Sequence, residues 1–357
     1  MPLVANSELP TFERLRTAGH TVLSRDRAAH QDIRELHVGL LNLMPDAALE
    51  ATERQFFRLV GESNPIAQLH MHLFTVGEQV RGAAARNHIE RFYEPLERIQ
   101  ADGLDGLIIS GANPAQPELS EEPFWQGLTD VATWAEQNVT STLCSCLATH
   151  AVLEHEFGIK RWLQPAKRWG VYEHRLIDRK HPLVRGVNTR FGVPHSRWYD
   201  LGLDQFESAG MRVLVHSDIA GVHMATSHDG FRRVFLQGHP EYDTVSLLKE
   251  YKREVTRYWS GARGDFPAPP DNYFRPRTRA IFEEHGERLQ DAKADGREMP
   301  EFPEALVTDQ LDNTWHDTGE AIVANWIGLI YQLTHVDRTR PFMDGVDPDN
   351  PLGLAVH

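Results

Sequence analysis

The chain has 357 residues, 41% hydrophobic and 25% charged, which is the make-up of an ordinary globular protein long enough to bury a sizeable core. A formal net charge of −14 argues against a nucleic-acid partner, which would want a basic stripe, but not against an anionic small substrate held by a few local cations. Two cysteines allow no disulfide framework, MPLVANSELPTFERL is unlike a signal peptide, and no apolar run approaches the ~20 residues of a membrane span, so a cytoplasmic protein with reduced thiols and no membrane partner is expected.

In chain order, LHVGLLNLM (36–44) reads as a buried strand that ends at Pro45-Asp46, and ALEATERQFFRLVG follows with a helical period. AQLHMHLFTV, from Ala67, is the next strand, with His70 and His72 on one face. A helical stretch around NHIERFYEPLERIQ leads into the strand GLDGLIISGANP, which runs out through a Gly/Asn/Pro turn. WQGLTDVATWAEQN is an amphipathic helix, VTSTLCSC a strand, and LATHAVLEHEFG a helix closed by Gly158. Residues 163–227 are more irregular and rich in arginine and histidine. RRVFLQGHPEYD then returns to a strand and a turn, and SLLKEYKREVTRYW and WHDTGEAIVANWIGLIYQL are helices. The charged segment at about 283–310 looks like a solvated insertion, and the Asp/Pro-rich end at about 334–357 like an exposed tail.

This alternation predicts an α/β fold with a mostly parallel sheet and helices on both faces, and with ligands beyond the carboxyl ends of the strands. Gly111-Ala112-Asn113, the Cys146 turn and the turn Gly238-His239-Pro240-Glu241 all fall at such ends. Cys146 stands where a strand becomes a helix, where backbone amides and the helix dipole suit a thiolate nucleophile; free cysteines are as often buried and inert. Cys144 lies two residues earlier, within the strand, on the same face if the strand runs through both. A metal site on this C-x-C pair lacks further cysteine ligands, and none is expected. Among 19 histidines, His150 is one turn beyond Cys146, whereas His239 follows an apolar strand with Glu241 two residues on, placed to fix the imidazole.

Taken together, LLNLMPDAALEATERQFFRLVG, DGLIISGA, VTSTLCSC, KRWGVYEHR, VPHSRWYD, QGHPEYD, NYF and ANWIGLIYQ resemble, in order and over most of the chain, the homoserine O-acyltransferases of methionine biosynthesis, of the homoserine O-succinyltransferase (transsuccinylase) type. The resemblance implies a flavodoxin-like, class I glutamine amidotransferase-like three-layer sandwich, with residues 1–357 forming one acyltransferase domain that carries an N-terminal extension (about 1–34). It implies a catalytic triad of Cys146, His239 and Glu241, substrate contacts from Lys167, Ser196 and Arg253, and a ping-pong transfer from succinyl-CoA, a co-substrate, to L-homoserine, with no other cofactor and a homodimeric assembly. Ala115 occupies the position that looks like the family's acyl-selecting site: glutamate there goes with acetyl-CoA and glycine with succinyl-CoA, so a small neutral alanine leans towards succinyl. Leu147 replaces the more usual aromatic residue after the nucleophile, a change that bears on homoserine against serine as acceptor. The competing readings are the same enzyme using acetyl-CoA, a glutamine amidotransferase-like hydrolase, and a non-enzymatic binding module.

Overall fold

Strand and helix periods along the chain resolve into one continuous sheet with helices on both faces. The computed structural model describes residues 3–31, 33–63, 67–77 and 79–355. The strands are β1 (Leu3–Ala5), β2 (Val22–Ser24), β3 (Glu35–Leu41), β4 (Gln68–Phe74), β5 (Gly106–Ile109), β6 (Ser141–Ser145), β7 (Trp162–Leu176), β8 (Arg190–Asp200), β9 (Arg212–Ser217), β10 (Gly221–Thr226) and β11 (Arg233–Leu236). The α-helices are α1 (Pro10–Thr17), α2 (Arg25–Ala29), α3 (Leu49–Ser63), α4 (Ala83–Phe92), α5 (Leu96–Asp102), α6 (Trp125–Asn138), α7 (Leu147–Phe157), α8 (Leu203–Ser208), α9 (Ser246–Trp259), α10 (Pro276–Ala294), α11 (Glu304–Val307) and α12 (His316–Leu333).

The sheet order is β2-β1-β4-β3-β5-β6-β11-β10-β9-β7-β8. Every pair from β2 to β11 is parallel and every pair from β11 to β8 antiparallel. The run β4-β3-β5-β6-β11 has the 2-1-3-4-5 order of a flavodoxin-like fold. Strand alternation builds the layers. Leu36, Val38 and Leu40 of β3, Ile108 of β5 and Val234 of β11 pack with α1, α3 and α12 on one face. Leu107 and Ile109, Cys144 of β6 and Phe235 pack with α6 and α7 on the other.

Four expectations change. The irregular stretch 163–227 is the antiparallel half of the sheet, led by the long hairpin β7–β8. The stretch NHIERFYEPLERIQ is two helices, because Pro95 favours extended backbone before it and Tyr93 leaves the helix at φ −92°, ψ 147°. The charged segment at 283–310 is solvated on one side only: Phe282, Leu289, Phe302 and Val307 are buried in a third core with Tyr251 and Trp315. The segment at 334–357 is tied down, with Thr334 Oγ1 donating to Asp105 (2.8 Å), Met343 N–H to the Leu333 carbonyl (2.9 Å) and Arg212 to the Ala355 carbonyl (2.7 Å). At the other end, β1 and β2 continue the sheet, and Phe12 of α1 packs on Phe57, ring centroids 5.5 Å apart. No helix among the described residues is long and apolar enough to cross a membrane.

Candidate active site

Cys146 sits between β6 and α7 at φ 51°, ψ −107°; among the described residues only it and Asn272 are non-glycines with positive φ. A non-glycine in that region is strained and persists only where its surroundings fix it. Here Cys146 N–H donates to the Leu236 carbonyl of β11 (2.7 Å), and Thr149 Oγ1 contacts the carbonyls of Cys144 (2.9 Å) and Leu236 (3.1 Å). Strand alternation therefore stops at Ser145 and the two thiols part. Cys144 is fully buried in the helix-covered core, and burial pushes its thiol up to about 12. Cys146 stays partly accessible, with Gly111, at the end of β5, beside its Cβ.

His239 approaches from β11. A Cβ on Gly238 would lie 2.4 Å from Val193 and 2.9 Å from the rings of His195 and His223, so only glycine lets the chain pass there. His239 N–H is pinned to the Pro194 carbonyl (2.8 Å), its Nδ1 meets Glu241 Oε1 at 2.8 Å, and the Tyr242 ring stacks on the imidazole at 4.3 Å. Burial alone would depress the imidazole. The neighbouring Cys146, and after it the Glu241 carboxylate, outweigh burial and hold His239 well above the usual histidine range. Arg58 secures the turn from behind, donating to the Glu241 carbonyl (3.0 Å) and pairing with Asp243. His150, the local competitor, is turned to Gln237 (3.0 Å), and burial drives it down to about 3, which leaves it neutral.

Lys167 of β7 and Ser196 of β8 converge on one carboxylate that the sequence pattern does not single out, Glu250 of α9. Ser196 Oγ donates to Glu250 Oε2 at 2.6 Å, Lys167 Nζ lies 3.3 Å from the same oxygen, and Tyr242 OH donates to Oε1 at 2.8 Å. Burial would raise Glu250, but Lys167, Ser196 and Tyr242 together lower it, so it is an anion; burial also lowers Lys167, and Glu250 only partly offsets that. The pattern of β8 explains the presentation. His195 and Arg197 point into the sheet's buried side, Arg197 bonding Asp200 (2.9 Å) and the Ala220 carbonyl (2.7 Å), while Ser196 between them faces Glu250. Arg253, one turn beyond Glu250, has a half-exposed side chain 3.4 Å from Glu254, and its charge reaches both Lys167 and Glu250. Ala115 is exposed in the loop after β5, where its N–H and that of Gln116 both donate to the buried Glu122 carboxylate (2.5 Å each). The loop is thus shaped by Glu122, a second residue whose part the sequence pattern hides.

A thiol on a strained elbow, a carboxylate-backed imidazole beside it, and a bonded cluster linked to that imidazole through Tyr242 form a centre suited to nucleophilic acyl transfer. The family model described as homoserine O-succinyltransferase matches residues 2–336. A homoserine O-succinyltransferase of Nitrosococcus oceani is 61% identical over 99% of both chains, and that of Methylococcus capsulatus 59% identical over 99% of this chain and 100% of its own. A solved glutamine amidotransferase of Thermotoga maritima is 13% identical with a TM-score of 0.43, covering 83% of this chain and 98% of its own. The chain belongs to the homoserine O-succinyltransferase family.

Proposed function

We propose that this enzyme transfers the succinyl group of succinyl-CoA to the hydroxyl of L-homoserine through a Cys146 thioester. The observation that carries the reading is the coupling of Cys146, His239 and Glu241 across the carboxyl ends of β6 and β11. The Cys146 thiolate attacks the thioester carbonyl, and the tetrahedral intermediate collapses with the CoA sulfur as leaving group, taking the proton of the His239 imidazolium. Neutral His239 then removes the homoserine hydroxyl proton as that oxygen attacks the acyl-enzyme. The Cys146 thiolate leaves, and the imidazolium is restored. Glu241 holds the ring orientation throughout. The Leu147 and Ala148 amides, which open the first turn of α7, are candidates to receive the oxyanion. Ala115 leaves room for the succinyl carboxylate, while Lys167, Ser196 and Arg253 supply polar contacts to substrate. The whole chain serves as one acyltransferase domain, which we place in the cytoplasm as a homodimer.

Incubation with succinyl-CoA or acetyl-CoA, followed by intact-mass measurement and product analysis with homoserine or serine, tests this. A succinyl adduct discharged by homoserine is expected. An adduct from acetyl-CoA alone, or glutamine hydrolysis without acyl transfer, would replace the assignment. Glu250 supports the acceptor half of the site, since it touches two of the inferred substrate residues. Glu250→Gln should lower kcat/KM for homoserine by roughly 10- to 100-fold, the cost of a charge-assisted hydrogen bond, with succinyl adduct formation kept near its normal rate. Equal loss in both half-reactions would contradict that division.

A further inference from the structure

Away from the triad, three separate elements bring two histidines and two glutamates together. His20 follows α1, Glu62 ends α3, and His316 and Glu320 stand one turn apart at the start of α12. His20 Nδ1 is 2.7 Å from Glu62 Oε1, and His316 Nε2 is 2.9 Å from Glu320 Oε1. Ligand atoms of Glu62, His316 and Glu320 all lie within 4.8 Å of one another. We propose that Glu62, His316 and Glu320 bind one divalent transition-metal ion, of the Zn2+ class, with His20 holding Glu62 from the other side.

The chemistry of the donor set supports the assignment. An imidazole nitrogen and two carboxylates suit a borderline ion such as Zn2+, and a histidine and a glutamate four apart on a helix present their donors on one face. All four side chains are partly buried, between 21% and 34% exposed, so the carboxylates are not simply a solvated acidic surface. Glu62 Oε2 is buried without a hydrogen-bond partner. Arg58 Nε lies 3.8 Å from that oxygen and also has no hydrogen-bond partner, while the Arg58 Nη atoms are held by Asp243 and the Glu241 carbonyl. Because Arg58 lies between Glu62 and Asp243, an ion here would also brace the turn that carries His239. A second group, Glu35, His37 and His70, fits an ion less well: His37 is already 2.8 Å from His72, and the positive charge of Arg338 acts on both His37 and His70.

Metal-stripped full-length protein carrying Cys146→Ser, so that the active-site thiolate cannot take the ion, is titrated with Zn2+ by calorimetry and with Co2+ by visible absorption. One equivalent should bind, with the d–d bands of a nitrogen- and oxygen-ligated Co2+. His316→Ala and the nearly isosteric Glu320→Gln should each weaken binding by roughly tenfold or more, and His70→Ala should leave it unchanged. Far-UV circular dichroism confirms that each variant is folded. Absence of stoichiometric binding, binding indifferent to both α12 variants in folded protein, or binding lost with His70→Ala would each overturn the assignment.

Discussion

Cys146→Ser is expected to abolish the covalent succinyl adduct and to lower kcat by roughly 10^4-fold or more, about 5 kcal/mol of transition-state stabilisation. The serine hydroxyl carries no anion at neutral pH, so the variant loses both the nucleophile and the negative charge that helps keep His239 protonated. Cys144→Ser should retain adduct and turnover, because that thiol is fully buried and pushed up to about 12. One equivalent of iodoacetamide should therefore label the native protein at Cys146 alone. Peptide mapping after alkylation, and intact mass after succinyl-CoA, check the two statements separately. Adduct on Cys144, or adduct surviving in Cys146→Ser, would remove the nucleophile assignment.

The parallel half of the fold was legible because its strands are buried on both faces and read as apolar runs between strongly periodic helices. The expected WQGLTDVATWAEQN and SLLKEYKREVTRYW are α6 and α9. The antiparallel half was not, because β7 and β8 bury polar groups on the inward side. His174, His195 and Arg197 are all buried, so the alternation of apolar with polar residues breaks down along these strands. The cysteine elbow and the H-P-E turn could be placed from strand ends, and the structure brings Cys146, His239 and Glu241 together. Glu250 could not be found that way. It sits on a helix with four basic residues and Glu254, and a glutamate in such company reads as part of a solvated face until β7 and β8 are folded onto it. Glu122 was hidden for a similar reason, as one of three acidic residues in PELSEEP.

His239→Ala should lower kcat by roughly 10^3-fold or more, beyond what loss of a peripheral contact produces, because the same imidazole gives a proton in one half-reaction and takes one in the other. His150→Ala should keep kcat within a few-fold. Its buried hydrogen bond to Gln237 makes its cost one of stability, on the order of 1–3 kcal/mol in thermal or denaturant unfolding. The pH dependence follows from the direction of the His239 shift. In the free enzyme Cys146 and Glu241 hold the imidazole well above its usual range, so the imidazolium that protonates the leaving CoA sulfur persists as pH rises and is lost only above that raised pKa. Once Cys146 is acylated its charge is gone, and the largest influence left is burial, which favours the neutral ring. The His239 pKa must therefore fall in the acyl-enzyme, which readies the base for homoserine and puts the acidic limb of deacylation below the alkaline limb of acylation. Histidine Cε1 resonances of the native enzyme and of Cys146→Ser, followed against pH, read this directly. A His239 titration at the same pH in both proteins, or full turnover in His239→Ala, would show that another group moves the proton.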